Sequence, residues 1–163
     1  MPHDQPHGHD HDHDHPHDHG HDHTPDHSHA RFRLHTVRIY AGDYAAGFAF
    51  YSSILGLPVK SGGPEGPFAL FDLGSAQLAL ERIPPQHPAY EELVGRFSGV
   101  SLMVADLNAL HDELVAKGVE FMAPPQRQSW GGGIAHFRDP AGNIVSLVGR
   151  MKGGGPGPPL PNS

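Results

Sequence analysis

Thr36-Val-Arg-Ile-Tyr-Ala-Gly-Asp43 and Gly99-Val-Ser-Leu-Met-Val-Ala-Asp106 decide how this chain folds. Each stretch tends to alternate apolar with polar or small residues and ends on an Asp, and the second begins 63 residues after the first. Alternate side chains of a strand point to opposite faces, so both stretches predict a half-buried strand. An Asp at the strand's end can accept a bond from the first free N–H groups of a helix, so both also predict an N-cap. Helical patterns follow as required. Tyr44, Phe48, Tyr51 and Leu55 form one stripe, in a helix expected from Asp43 to Leu55 and stopped by Gly56. Leu107, Leu110 and Leu114 form the other, in a helix expected from Asp106 to Lys117 and stopped by Gly118.

Three strand-like runs follow each helix: Leu57–Lys60, Pro67–Leu73 and Gln77–Ile83, then Val119–Met122, Ile134–Arg138 and Ile144–Gly149. Asp139-Pro-Ala-Gly142 marks the turn between the last two. The chain therefore contains an internal repeat, an α+β fold of two βαβββ modules at about 34–83 and 98–149. A Pro-rich connector (84–97) with a short helix at Ala89–Val94 joins them within a domain of residues 31–150. Residues 151–163 are Gly/Pro-rich and expected to fray. A helix covers one face of each module's sheet, so pairing the uncovered faces of two curved sheets would enclose a cavity, a natural ligand site.

Residues 1–30 are a different material. They hold 12 of the 16 His, 7 Asp, and no Lys, Arg or Glu, so they carry the whole formal charge of -7 while residues 31–163 sum to zero. They contain no Val, Ile, Leu, Phe, Tyr or Trp, a composition that predicts disorder. His3, His7, His9, His11, His13, His15, His17, His19, His21, His23, His27 and His29 are interleaved with Asp. Neutral imidazoles gathered by a flexible chain suit Zn, Ni, Co or Cu. The bland alternatives are an affinity tag, which is usually a block of consecutive His, and a pH-responsive solubility tail.

Composition also excludes. Without Cys there is no disulfide, no Cys-ligated zinc and no thiol nucleophile. The acidic balance argues against nucleic acid, no apolar run reaches the ~20 residues of a membrane helix, and the absence of a signal-peptide pattern makes cytoplasm the expected compartment.

The pieces Asp43…Phe50-Tyr51…Leu55-Gly56-Leu57, Gly99–Asp106, Gly118-Val119 and His136-Phe-Arg-Asp139-Pro140-Ala-Gly142-Asn143, taken in order, resemble the vicinal oxygen chelate superfamily of glyoxalase, bleomycin-resistance and extradiol dioxygenase proteins. The resemblance implies paired modules around a central cavity, dimers, and in the enzymes a divalent metal held by four His or Glu side chains on strands. Carried over by register, those four positions are Thr36, Ala79, Gly99 and Ser146. None is a competent metal donor of the usual kind. His35 adjoins Thr36, but its parity places it with Val37 and Ile39 against the helix. No metal is therefore expected in the body.

Parity gives a pocket lining of Thr36, Arg38, Tyr40, Ala79, Glu81, Gly99, Ser101, Met103 and Ser146, with Trp130 and His136 added from the segment around the Gly-rich loop. Arg38 calls for an anion, either Glu81 or a ligand. Trp130 precedes three glycines and is read as an aromatic lid or as the anchor of a surface hairpin. His111, on a helix beside Asp112 and Glu113, is expected to be solvated, and His87 in the Pro-rich connector carries no signal; no catalytic residue is legible. Three functions fit. The first is a metal-independent protein binding a small molecule. The second is a glyoxalase-like lyase, isomerase or dioxygenase supplied with metal by the tail. The third is a metal storage or delivery protein. The first helix is apolar beyond its stripe, at Ala45, Ala46, Phe50 and Ile54, which suggests a homodimer.

Overall fold

Alternation in Thr36–Ala41 sorts its side chains as expected: Ile39 and Ala41 are buried, while Arg38 is exposed and Tyr40 half-buried. A computed structural model describes residues 31–152. In it this strand, β1, leads to α1 (α-helical over Tyr44–Ala49, π-helical over Phe50–Ile54), β2 (Val59–Gly62), β3 (Phe68–Asp72) and β4 (Gln77–Arg82). After a short helix α2 (Tyr90–Leu93) come β5 (Phe97–Asp106), α3 (Leu107–Ala116), β6 (Glu120–Phe121), β7 (Gln126–Arg127), β8 (Gly133–Arg138) and β9 (Ile144–Arg150). The expectations for the His/Asp-rich segment and for the C-terminus beyond residue 152 lie outside the described residues.

The strand orders are β1-β4-β3-β2 and β5-β9-β8-β6, with β7 added on β8. In each sheet the module's first strand pairs in parallel with its last. The internal repeat is thus a repeat of topology, two βαβββ modules. Asp43 and Asp106 cap their helices, accepting from Ala46 N (3.1 Å) and Ala109 N (3.0 Å). The strand expected at Leu57–Lys60 begins two residues later, because Leu57 still belongs to the helix end and donates its N–H to Tyr51 O. The two-residue strand β7 is too short to show alternation and was not anticipated.

Helix α1 widens at its C-terminal end. Leu55 N–H reaches back five residues to Phe50 O, the bond of a π-turn. This turns the consecutive residues Phe50 and Tyr51 both inward, at 5% and 0% exposure. Phe48 and Tyr51 stack against Phe71 of the first sheet, while Phe50 meets Phe137 of the second, with ring centroids 5.8–6.0 Å apart. Phe50, which the stripe left unpartnered, is therefore covered by the chain's own second module. Helix α3 buries Leu107 and Leu114. The helices lie between the two sheets.

One polar cluster joins the modules. Asp139, 5% exposed at the end of β8, accepts from Tyr51 Oη (2.8 Å), from Asn143 Nδ2 (2.9 Å) and from the N–H groups of Ala141 and Asn143. Asn143 Nδ2 also donates to Tyr40 O (2.9 Å), and its Oδ1 accepts from Gly95 N (2.8 Å). Asn143 thereby ties β1 of the first module, the connector and the β8–β9 turn to one side chain.

Loss of a bond to a buried charged group costs about 1.5–3 kcal/mol. Tyr51→Phe should lower unfolding free energy by about that much in urea denaturation, and Asn143→Ala by more, because it leaves Tyr40 O and Gly95 N without their partner. Both act on Asp139, so the double variant should lose less than the sum of the two.

Candidate functional site

The pairing register lays the helix-free face of each sheet out in rows. On the first sheet they run Thr36–Gln77–Asp72, Arg38–Ala79–Leu70 and Tyr40–Glu81–Phe68. On the second they run Phe97–Ile144–Arg138, Ser101–Ser146–His136 and Met103–Val148–Ile134. Residues paired across neighbouring strands share a face. Thr36, Arg38, Tyr40, Ala79 and Glu81 therefore come together on one sheet, and Ser101, Met103, His136 and Ser146 on the other, with Gly99 on the same strand as Ser101 and Met103. Phe68, Leu70, Phe97, Ile134 and Val148, which complete these faces, were missed. They were accessible to the same parity argument once extended to the flanking strands.

The two groups do not meet in one chain. Their sheets sandwich the helices, so the uncovered faces look outward. Exposure follows: 86% for Met103, 59% for Phe97 and 40% for Phe68. The space expected between the two faces is not enclosed by a single chain. The reason is the inward packing of Phe50 and Tyr51, which spends the contact between modules on their helix sides.

Arg38 Nε donates to Glu81 Oε1 at 2.7 Å, so the anion that Arg38 calls for is internal. With the Arg38 and Glu81 side chains 59% and 35% exposed, the pair is solvated and contributes little to stability. On the second sheet His136 Nδ1 and Ser146 Oγ lie 2.8 Å apart. Ser146 is 1% exposed and His136 half-buried. The Phe97 ring meets the imidazole edge-on, with centroids 6.1 Å apart.

The four positions matching the superfamily's metal ligands fail as a donor set. Ala79 and Gly99 offer no side-chain donor, Thr36 bonds His35 Nδ1, and Ser146 bonds His136. Gly99 adds a backbone reason. It lies where the β5–β9 register slips, with φ of 73°, a left-handed conformation that a His would adopt only under strain. Among the described residues no group of three or more His, Asp or Glu is placed to hold a metal.

Other expectations need correction. His35 does not pack on the helix; it is exposed before β1 begins. His111 is not solvated: its side chain is 16% exposed and lies edge-on to Phe121, with ring centroids 4.5 Å apart. Trp130, 43% exposed, lies with its ring against Gly132, where any Cβ would collide with it. Its resting place is the hairpin's own backbone. His87, by contrast, is exposed in the connector as the sequence leads one to expect, its Nδ1 accepting from Ala89 N.

A cleft of about 620 Å³ opens between the modules. Leu34, Val37, Leu55 and Leu57 line it from the first module, and the unbroken run Gly99–Val104 with Leu110 and Leu114 from the second. A cavity that touches six consecutive strand residues meets the strand's edge. Strand β5 is the outer strand of its sheet, as β1 is of the other.

Comparison with known proteins agrees with this architecture. The family model of the Glyoxalase/Bleomycin resistance protein/Dioxygenase superfamily matches residues 33–147. An uncharacterized protein of Bacillus subtilis (strain 168), YraH, is 30% identical over 124 residues, covering 71% of this chain and 96% of that protein. Among solved structures, TnmS3, an antibiotic binding protein from Streptomyces sp. CB03234, superposes with a TM-score of 0.59 at 24% identity, covering 74% of this chain and 98% of its own. A lactoylglutathione lyase from Agrobacterium tumefaciens superposes with a TM-score of 0.55 at 22% identity, covering 71% and 92%. With the repeated module, the strand order and the family model in agreement, the chain belongs to the glyoxalase/bleomycin resistance protein/dioxygenase superfamily.

Proposed function

We propose that this chain binds a small molecule on its helix-free sheet faces, without a metal in the body, in a cavity completed by a second copy of itself. The observation that carries this is the composition of those faces. They hold apolar residues and neutral hydrogen-bonding groups where the superfamily's enzymes hold metal donors. The likeness to an antibiotic binding protein supports binding without catalysis, at the level of fold. The likeness to a lactoylglutathione lyase is the argument for the second reading, a metal-dependent lyase, isomerase or dioxygenase; the donor set opposes it.

The partner in this reading is a homodimer mate. Unpaired strand edges and apolar surface are costly to leave open, and the cleft beside β5 has both. Two outward-looking faces become a cavity only when another copy supplies the opposite wall. The other partners are the small-molecule ligand and divalent metal ions, with no role for nucleic acid or membrane. The compartment we assign is the cytoplasm. Among the described residues no helix is long and apolar enough to cross a membrane.

Metal chemistry belongs, in this reading, to the N-terminal segment, whose 12 His and 7 Asp would take up Zn, Ni, Co or Cu. A third reading, metal storage or delivery, rests on that segment alone.

Two measurements test the proposal. Full-length protein dialysed against Zn²⁺ or Ni²⁺ should retain several ions per chain, and protein lacking residues 1–30 should retain none. One tightly held ion in the truncated form would restore the metal-enzyme reading. In sedimentation velocity the chain should run as a dimer, and Leu102→Glu, placing a charge in the cleft, should shift it to monomer by at least tenfold in dissociation constant while far-UV circular dichroism is unchanged.

A further inference from the structure

Leu34, Val37, Leu55 and Leu57 border the cleft on one side and the run Gly99–Val104 of β5 on the other. Among the described residues β5 pairs with β9 alone, so alternate N–H and C=O groups along its outer edge have no strand to meet. A further strand suits this edge poorly. Gly99 sits at φ 73° where the β5–β9 register slips, and a ladder built on the edge is interrupted there.

The chain leaves the described fold beside this cleft. Strand β9 runs parallel to β5, Arg150 pairs with Asp106, and Lys152 Nζ lies 3.3 Å from Asp106 Oδ2. Lys152 therefore stands at the C-terminal end of β5. In the sequence Gly153-Gly-Gly155 comes next, then Pro156-Gly-Pro-Pro-Leu-Pro161. Glycines permit the reversal that would bring the chain back along β5. Three of them span up to about 10 Å, two strand spacings. From Gly99 to Val104 a strand covers about 17 Å, and from Pro156 to Pro161 a polyproline II segment covers about 16 Å.

The chemistry matches as well as the length. A Gly/Pro-rich segment has no core of its own, so any order it takes must come from a surface. Pro156–Pro161 carries no charge, and its prolines and Leu160 are apolar, as the cleft is. Gly157 and Leu160 alone among its residues have an N–H. The segment thus brings carbonyls for the outward N–H groups of β5 and leaves few donors of its own to satisfy. Proline also fixes much of the bound shape in advance, which lowers the cost of ordering.

We propose that Pro156–Pro161 docks in the cleft of its own chain, along the outer edge of β5, and competes there with a second copy. The competition rests on the dimer reading above; the docking does not. A filled cleft is closed to a mate, so dimerisation requires both segments to leave. With the segment seated about two-thirds of the time, about a third of the chains are open, and the need for two open chains raises the dimer dissociation constant about ninefold.

The chain has no Cys, so Ser163→Cys gives the full-length protein a single site for a nitroxide. In dilute, monomeric samples the nitroxide should broaden the backbone amide NMR signals of Leu34, Val100 and Leu102 most, and Leu160→Asp should remove that broadening. Isotope-labelled chains without nitroxide, mixed with nitroxide-bearing chains at natural abundance, should show none. In sedimentation velocity Leu160→Asp should dimerise about ninefold more tightly than the unsubstituted chain. Broadening that centres on Lys152 and Asp106 and ignores Leu160→Asp overturns the docking and leaves the dimer reading standing. Broadening in the mixed sample overturns docking within one chain and assigns the segment to the mate's cleft. Monomers at every concentration, with and without Leu160→Asp, overturn the dimer reading and the competition together, while the nitroxide pattern still decides the docking.

Discussion

A carboxylate buried between two modules constrains everything else in this chain. Asp139 sits at 5% exposure, and a charge so placed is tolerated only when its acceptor positions are filled. They are, by Tyr51 from the first module and by Asn143 and the backbone of its own turn. Burial, and then the adjacent Asp139 charge, hold the Tyr51 phenol well above its usual range, so it remains a donor at any ordinary pH. The joint cannot be met by either module alone. It requires α1 to present Tyr51 toward β8, and the π-turn makes that compatible with burying Phe50 on Phe137.

That geometry determines which way the helix-free faces look. Once the helices occupy the space between the sheets, the helix-free faces point outward. Each carries half of what a superfamily cavity needs. The first offers Arg38, already neutralised by Glu81, and the aromatic Tyr40 and Phe68. The second offers the Ser146–His136 pair among apolar rows. Among the described residues the strand order also leaves β1 and β5 as outer strands, with an apolar cleft along β5. In the dimer proposed above, one additional copy of the chain would cover the exposed faces, the outer strands and the cleft together.

Much of this was legible in the sequence because the signals were periodic. The two Asp-terminated strands, the helix stripes and the Asp139–Gly142 turn each follow from local chemistry, and their repetition specified two βαβββ modules. Parity placed Arg38 with Glu81 and Ser101 with Ser146. What stayed hidden depends on packing between modules. A 3.6-residue stripe assumes a regular helix, so it assigned Phe50 to the wrong surroundings where a π-turn intervenes. Parity also assumes an established strand, so it misplaced His35 ahead of β1. His111 looked solvated beside Asp112 and Glu113, and only the approach of β6 brings Phe121 over it. No local pattern states whether two sheets face each other or turn away.

At the four register positions, the lack of a usual metal donor goes deeper than side chains at one of them. At Thr36, Ala79 and Ser146 a substitution would supply a donor on an ordinary strand backbone. At Gly99 it would not, since the residue sits in a bulge at φ 73° with the β5–β9 register displaced around it. A His there would have to pull the strand back into extended conformation and reset its pairing with β9. Resetting that pairing would disturb the alignment of Ser101 with Ser146, and with it the row ending at His136. The Ser146–His136 pair itself belongs to the unshifted β8–β9 register, so the bulge governs where Ser101 joins that row. In the metal-free reading proposed above, Gly99 is the position where backbone as well as side chain stands against a strand-borne ligand.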